Sequence, residues 1–368
     1  MILSKFLLIS FEYTNELFIA LSAGLPGTLV LIHHGLKTNQ TARSFLVASL
    51  TLLSFMFVAR DRRRSKPSRR KVILISGCDT GLGFSLAQHI TGCGYTVFAG
   101  FFSLESEGAK QIKQSYDQNV ISFSLDITKE ESIKKAVMTL ENFLLNNPKY
   151  SLYALINNAG VMVFGEFEWL TEKLIENQIN VNLCGTMRLT KAFCPMLRKY
   201  QGRVITITSH CAQATLPGLS VYGATKAALA GWSDGLRVEQ AKYGVKVVTF
   251  IPGSFPTESH IMSKQLSYVQ EMHDNFTEEQ HQFYSNYFKR YNIYLSYLSG
   301  PTVPKKLSNF GLYQEFDNAL LEESPKPLYK VENYRYWFYH TLFKYSPYCL
   351  RDYFVTKFML MPEYIPPQ

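Results

Sequence analysis

Tyr222 and Lys226 stand four residues apart, and Ser209 precedes the tyrosine by thirteen, in the stretch SHCAQATLPGLSVYGATK over 209–226. If Tyr222 opens a helix, Lys226 lies one turn on along the same face. An ammonium there favours the phenolate and lowers a tyrosine pKa from about 10. Such a tyrosine can give or take a proton near neutral pH. A serine hydroxyl beside it can hydrogen-bond a substrate oxygen. Tyr-x-x-x-Lys spacings arise by chance in a chain with 23 tyrosines, so the surrounding elements decide what the pair means.

Upstream, Val72 to Ser76 reads VILIS, a short apolar run of the kind that forms a buried strand. Gly77-Cys-Asp79-Thr-Gly81-Leu82-Gly83 follows, then a helical pattern through Leu86 and Ile90. A glycine turn between strand and helix is the context for dinucleotide binding. The glycines let the backbone approach a pyrophosphate, and the helix N-terminus favours its charge. Tyr95–Phe102 reads as a second strand, and Val120–Leu125 as a third that runs into Asp126 and Ile127. Thr128 to Glu131 has the spacing of a capping box. Behind it Ile133, Ala136, Val137, Leu140 and Leu144 recur at helical spacing. Leu152–Ile156 is the next strand and leads into Asn157-Asn158-Ala159-Gly160. This alternation predicts an α/β fold with a doubly wound parallel sheet. Ligands of such sheets lie at the carboxyl ends of the strands, where Gly77, Asp126 and Asn158 fall.

The chain's 368 residues carry a formal charge of +9, but Arg60–Lys71, RDRRRSKPSRRK, holds eight basic residues and one acid. That block alone is +7, leaving +2 elsewhere, so the basicity is local and does not form a nucleic-acid face. A cationic block after an apolar segment marks the cytosolic side of a membrane and suits anionic lipid. Leu17–Leu36 is twenty residues without Asp, Glu, Lys or Arg, and Phe45–Ala59 is a second apolar run of fifteen. As a helix the first spans about 30 Å, the thickness of a bilayer core. Two spans or a re-entrant hairpin is the first reading; a single span and a cleaved signal peptide are the others. The six cysteines and eight histidines show no zinc-ligand or Cys-x-x-Cys spacing, and no metal is expected. His210 is read only as the neighbour of Ser209.

With these motifs in order, the chain resembles the short-chain dehydrogenase/reductase family from about Val72 to Thr257. The matching features are the glycine turn, Asp126, the NNAG turn, Asn182 in VNLCG, Ser209, the Tyr222/Lys226 pair and Pro252-Gly253 followed by Thr257. The wording GCDTGLG and the ending MPEYIPPQ are most similar to the branch holding retinol, 17β-hydroxysteroid and 3-hydroxybutyrate dehydrogenases. Ser76 stands where the family often has threonine. The resemblance implies Tyr222 as general acid/base and Lys226 as the group that lowers its pKa and holds the nicotinamide ribose. It implies Ser209 as the residue orienting the substrate oxygen and Asn182 as the anchor of a proton-relaying water. Ser76, Asp79, Leu82, Asp126, Ile127, Asn158, Ala159, Gly160, Pro252, Gly253 and Thr257 would line the cofactor with the glycines. It also implies a homodimer through helices at 171–197 and 222–242.

NAD is expected over NADP. A 2′-phosphate needs a cation after the second strand or in the glycine turn; no Lys or Arg lies between Tyr95 and Ala109, and Asp79 in the turn is acidic. Phe102-Ser103 occupies the end of the strand itself, with Glu105 two residues on.

Past Pro252 the character changes. Thr277 to Gln280 is a capping box that opens a helix bearing Phe283, Tyr284, Tyr287, Phe288, Tyr291, Tyr294 and Tyr297. The family covers its substrate with this region; alternatively the stripe packs on the core. Tyr329–Phe358 is aromatic and basic, as at a membrane interface. The division expected is a membrane anchor and linker over 1–71, a Rossmann-type domain over 72–325 and an aromatic extension over 326–368. The function expected is hydride transfer between NAD and a lipophilic alcohol, a steroid or retinoid, at the endoplasmic reticulum membrane with the catalytic domain facing the cytosol. The alternatives are a mitochondrial membrane, a small hydroxy acid held by Lys264, Lys289 or Arg290, and a non-catalytic binding protein.

Overall fold

The computed structural model describes residues 63–116, 119–254, 258, 261–298, 303–359 and 361–366. The chain divides into two compact units, Met1–Arg64 and Ser65–Gln368, and the second carries the fold described here. The apolar runs 17–36 and 45–59, most of the basic block before Arg63, and Thr257 lie outside the described residues. Among the described residues no helix is long and apolar enough to cross a membrane.

Seven parallel strands form one sheet in the order β3-β2-β1-β4-β5-β6-β7. They are β1 Lys71–Ser76, β2 Thr96–Phe101, β3 Val120–Ser124, β4 Ser151–Asn157, β5 Arg203–Ile207, β6 Lys246–Ile251 and β7 Leu328–Lys330. The four strands read from sequence fall within one residue at each end. β7 is contributed from beyond residue 325 and carries no run long enough to be read as a strand.

The pleat explains why central strands read as unbroken apolar runs. In register, Phe98, Leu74, Leu155, Val204 and Val247 form one row across the sheet. Ala99, Ile75, Ile156, Ile205 and Val248 form the next. Successive side chains point to opposite faces, and each row feeds a separate core. The second row packs under the helices Gly81–Gly92, Glu107–Tyr116 and Phe310–Leu321, and the first row packs under the helices Glu130–Asn146, Thr186–Tyr200 and Ser220–Ala241.

 

In chain order the helices are α1 Gly81–Gly92, α2 Glu107–Tyr116, α3 Glu130–Asn146, α4 Glu172–Gln178, α5 Thr186–Tyr200, α6 Ser220–Ala241, α7 Gln265–Asp274, α8 Glu278–Ser296, α9 Phe310–Leu321, α10 Tyr334–Tyr345 and α11 Tyr348–Met359. With these labels, α1, α2 and α9 cover one face of the sheet, and α3, α5 and α6 cover the other. A third apolar cluster gathers α7, α8, Trp169 and Tyr222. A fourth joins α10 and α11 to Ala214.

Strand order reverses between β1 and β4, and a crevice opens at such a reversal beyond the carboxyl ends of the strands. The glycine turn leaves β1 there and the NNAG turn leaves β4.

One local expectation fails. Thr128 does not cap α3; the N-cap is Lys129, which makes no side-chain cap bond. The Thr128 hydroxyl and N–H both donate to Asp126 Oδ1, at 2.6 and 3.0 Å. The aspartate two residues earlier offers a charged acceptor and closes its own turn. The capping box at Thr277–Gln280 does form, with both reciprocal bonds present.

Candidate active site

The glycine turn is held open by backbone conformation. Gly77 and Gly81 have φ of +72° and +58°, where a side chain is strained. A Cβ on Gly83 would lie 2.1 Å from the Gly77 carbonyl oxygen and 2.4 Å from Asn158 Nδ2. The first turn of α1, with Leu82, therefore sits directly against the loop that precedes it. Asn158 fastens the two turns together: its Nδ2 donates to the carbonyls of Ser76 and Gly77, both at 3.0 Å. Ser76 Oγ accepts the N–H groups of Asn158 and Ala159 at 3.1 Å each. A hydroxyl suffices for this bridge, which is why serine serves at that position. The cradle has the open turn and the helix N-terminus that a pyrophosphate requires, and so fits a dinucleotide.

Asp79 leaves this turn and reaches β2. Its Oδ2 accepts the N–H of Phe102 at 2.8 Å and its Oδ1 that of Ser103 at 3.0 Å. Asp126 is taken up by its own turn and by Lys129 at 3.6 Å; Ile127 is buried against Gly185. Gly253, after Pro252, has φ of +87° and closes on the Val331 carbonyl.

Tyr222 and Lys226 both lie in the first two turns of α6, buried. Ser209, at the end of β5, caps a short 3₁₀ turn, and its Oγ accepts the Cys211 N–H at 3.2 Å. That leaves its own proton to donate, and the side chain is close enough to the Tyr222 phenol to draw its pKa down. Lys226 Nζ donates to the Ile207 carbonyl at 3.1 Å and lies 5.7 Å from the centre of the Tyr222 ring. Asn182 sits in a π-helical turn, Ile179–Gly185, between α4 and α5. Its Oδ1 accepts from Val161 N at 2.8 Å, and its Nδ2 donates to Val161 O and Thr225 Oγ1. Gly160 separates it from the lysine: a Cβ there would be 3.2 Å from Asn182 Oδ1 and 3.5 Å from Lys226 Nζ. Four residues spread over 45 positions thus converge at one end of the sheet.

Electrostatics depart from the sequence expectation. Burial pushes the Tyr222 phenol well above its usual range, and the Ser209 side chain acts against it. Burial also lowers Lys226 to about 8. Desolvation is the largest influence on both groups, and a four-residue spacing does not report it. In this arrangement the tyrosine is held as the proton-bearing acid.

The aromatic stripe of α8 is arranged around a residue the sequence reading did not single out. Trp169 meets the rings of Tyr284, Tyr287, Phe288 and Tyr291 edge-on, with centroids 4.9 to 5.7 Å away. Tyr284 donates to Glu168 at 2.7 Å and Tyr287 to Glu166 at 2.8 Å. The stripe thus packs into the same apolar cluster as Val163, Phe164, Leu219, Met262 and Tyr222. None of the three cations considered for a carboxylate is placed in that cluster. Lys264 is exposed, Arg290 Nη2 donates to the Glu363 carbonyl at 2.8 Å, and Lys289 lines a groove of about 570 Å³ between α7 and α8 whose walls include neither Ser209 nor Tyr222.

His210 is more than a neighbour of Ser209. Its ring is buried 4.5 Å from that of His340 and 5.1 Å from that of Tyr336, both on α10. Burial lowers both histidines to about 4. Glu332 Oε1 lies 3.5 Å from His210 Nδ1 without a hydrogen bond, and the ring stays neutral.

A family model described as short chain dehydrogenase matches residues 71–266. Estradiol 17-beta-dehydrogenase 2 of Rattus norvegicus is 31% identical over 332 residues, 85% of this chain and 84% of its own length. D-beta-hydroxybutyrate dehydrogenase, mitochondrial, of Mus musculus is 31% identical over 79% of this chain and 87% of its own. Retinol dehydrogenase 7 of Mus musculus is 32% identical over 66% and 75%. With the glycine cradle, the strand order and the Ser209–Tyr222–Lys226 group in place, these matches identify the chain as a member of the short chain dehydrogenase family.

Proposed function

We propose that this oxidoreductase interconverts a lipophilic secondary or allylic alcohol, of steroid or retinoid type, and its carbonyl, with NAD preferred over NADP. The observation that carries the substrate class is the placing of Tyr222 in an apolar cluster with Val163, Phe164, Leu219 and Met262. Apolar walls of this kind gain about 25 cal/mol for each Å² removed from water, which rewards a steroid far more than a four-carbon acid. When bound, a nicotinamide dinucleotide supplies the hydride acceptor or donor. Ser76, Gly77, Asp79, Gly81, Leu82, Gly83, Asp126, Ile127, Asn158, Ala159, Gly160, Pro252, Gly253 and Thr257 are the residues assigned to hold it. Ser209 orients the substrate oxygen. Tyr222 gives its proton to that oxygen during carbonyl reduction and takes one back during alcohol oxidation. Lys226, lowered to about 8, is poised to exchange a proton near neutral pH, and Asn182 sets the loop after β4 against α6.

NAD preference is supported by Asp79. Its carboxylate stands at the end of β2, where the dinucleotide fold places an acid for the ribose hydroxyls and where a 2′-phosphate meets repulsion.

The hydroxy-acid reading is favoured by one fact, the similarity to a D-beta-hydroxybutyrate dehydrogenase over 87% of that protein. Purified protein assayed with NAD against steroid, retinoid and 3-hydroxybutyrate panels separates the two. Turnover of 3-hydroxybutyrate with none of the lipophilic alcohols rejects the first reading. The same proposal includes anchoring of residues 1–71 in a bilayer, at the endoplasmic reticulum with the catalytic domain facing the cytosol or at a mitochondrial membrane, and pairing of two chains through 171–197 and 222–242. Organelle fractionation and sedimentation of the detergent-solubilised chain test these.

A further inference from the structure

At the C-terminal end of α1, the opposite end of the helix from the glycine cradle, side chains of three metal-ligating types converge. His89 and Cys93 are four residues apart, one helical turn, and face the same way. Asp317 comes from α9. His89 Nε2 is 2.9 Å from Asp317 Oδ1 and 3.7 Å from Cys93 Sγ, and one ligand atom from each residue lies within 4.8 Å of the others. All three are partly buried, so the group is reachable from solvent. Both partners face the same ring nitrogen. That excludes a proton relay through the imidazole, which needs one partner on each nitrogen. It suits a cation shared between a nitrogen, a sulfur and an oxygen.

We propose that His89, Cys93 and Asp317 form a zinc site that clamps α1 to α9. Zinc takes imidazole, thiolate and carboxylate together, with bonds near 2.0–2.3 Å in a tetrahedron. Those bond lengths set ligand separations of about 3.3–3.6 Å. The nitrogen–sulfur pair already stands close to this, the nitrogen–oxygen pair has to open by a few tenths of an ångström, and the sulfur–oxygen pair, within 4.8 Å, closes as both ligands turn to one ion. The mixed set with a thiolate selects zinc over magnesium or calcium, which take oxygen ligands. Three protein ligands leave the fourth position to water. On binding, the Cys93 thiol and the His89 Nε2–H that faces Asp317 each give up a proton to solvent, and no electron is transferred. His89 also stacks on Tyr313 of α9, with centroids 4.6 Å apart, so the ring is already oriented across the helix pair.

The test uses the full chain, stripped of metal with a chelator and titrated with cobalt(II). A thiolate-to-cobalt charge-transfer band that saturates at a single equivalent, and that zinc displaces, is expected. Cys93→Ser should abolish the band, and Asp317→Asn, which keeps a hydrogen-bonding partner for His89, should weaken cobalt binding by about 10-fold or more. Cys349→Ser, at an exposed thiol elsewhere, should leave it unchanged. Zinc should raise the melting temperature of the wild type but not of Cys93→Ser or Asp317→Asn. No band at one equivalent, or a band that survives Cys93→Ser, overturns the site. So does a zinc-dependent rise in melting temperature that is the same in wild type and Asp317→Asn.

Discussion

The Asp79 carboxylate accepts the backbone N–H of Phe102 at 2.8 Å, so the glycine turn after β1 supplies the acidic group at the end of β2. Asp79→Ser should lower NAD efficiency and raise that of NADP. The ratio of the two should fall about tenfold or more, because like charges placed together cost several kcal/mol. Steady-state kinetics with both cofactors checks this, and an unchanged ratio removes Asp79 from cofactor selection.

Tyr222→Phe removes one hydroxyl and leaves the ring in its apolar cluster. Turnover should fall about 10²-fold or more, the scale of an acid/base group, while binding of reduced cofactor, followed by fluorescence, stays near that of the wild type. Wild-type turnover would end the assignment.

Lys226 carries a linked stability effect. Its folded pKa is about 8, against an ordinary 10.5, through burial. Between those values the unfolded chain binds more protons than the folded one, so stability rises with pH across that window. Below about pH 8 the buried ammonium is a penalty. Lys226→Met should therefore stabilise the fold at pH 7 by about 1–2 kcal/mol, after roughly 1 kcal/mol is lost with the bond to the Ile207 carbonyl. It should also abolish activity. Urea melts at pH 7 and pH 10 test it: the advantage of the variant should shrink at the higher pH.

His210 and His340 give the opposite end of the pH profile. Both are lowered by burial from 6.5 to about 4. Their stabilisation of the folded state is complete above pH 6.5 and is lost as pH falls towards 4, because only the unfolded chain takes up the protons. Lys330 opposes the charging of both, Glu332 favours that of His340, the Val331 carbonyl favours that of His210, and Tyr336 stacks on His340. The melting temperature should drop steeply over this interval, and His340→Phe should flatten the drop. An equal slope in the two proteins would show that the pair is not responsible.

Much of the fold and of the site was legible in the chain itself. Unbroken β-branched runs at 72–76 and 152–156 mark strands buried on both faces, and the rows through Leu74 and Ile75 give the reason. Glycine at 77, 81 and 83 follows from positive φ and from a 2.1 Å approach that any side chain would block. The order of Asn182, Ser209, Tyr222 and Lys226 was readable because each stands in a short local motif. Other features were settled only by tertiary structure. The charge state of Tyr222 and Lys226 depends on desolvation, which no four-residue spacing reports. Thr128 had the spacing of a cap, but Asp126 took its hydroxyl. Trp169 and the acids at 166 and 168 bind tyrosines more than a hundred residues away, and His210 meets His340 across a similar gap. Local periodicity carries information about the nearest few residues of a helix or strand. Partners brought together by the closing of the sheet and the folding back of α8 and α10 leave no such trace.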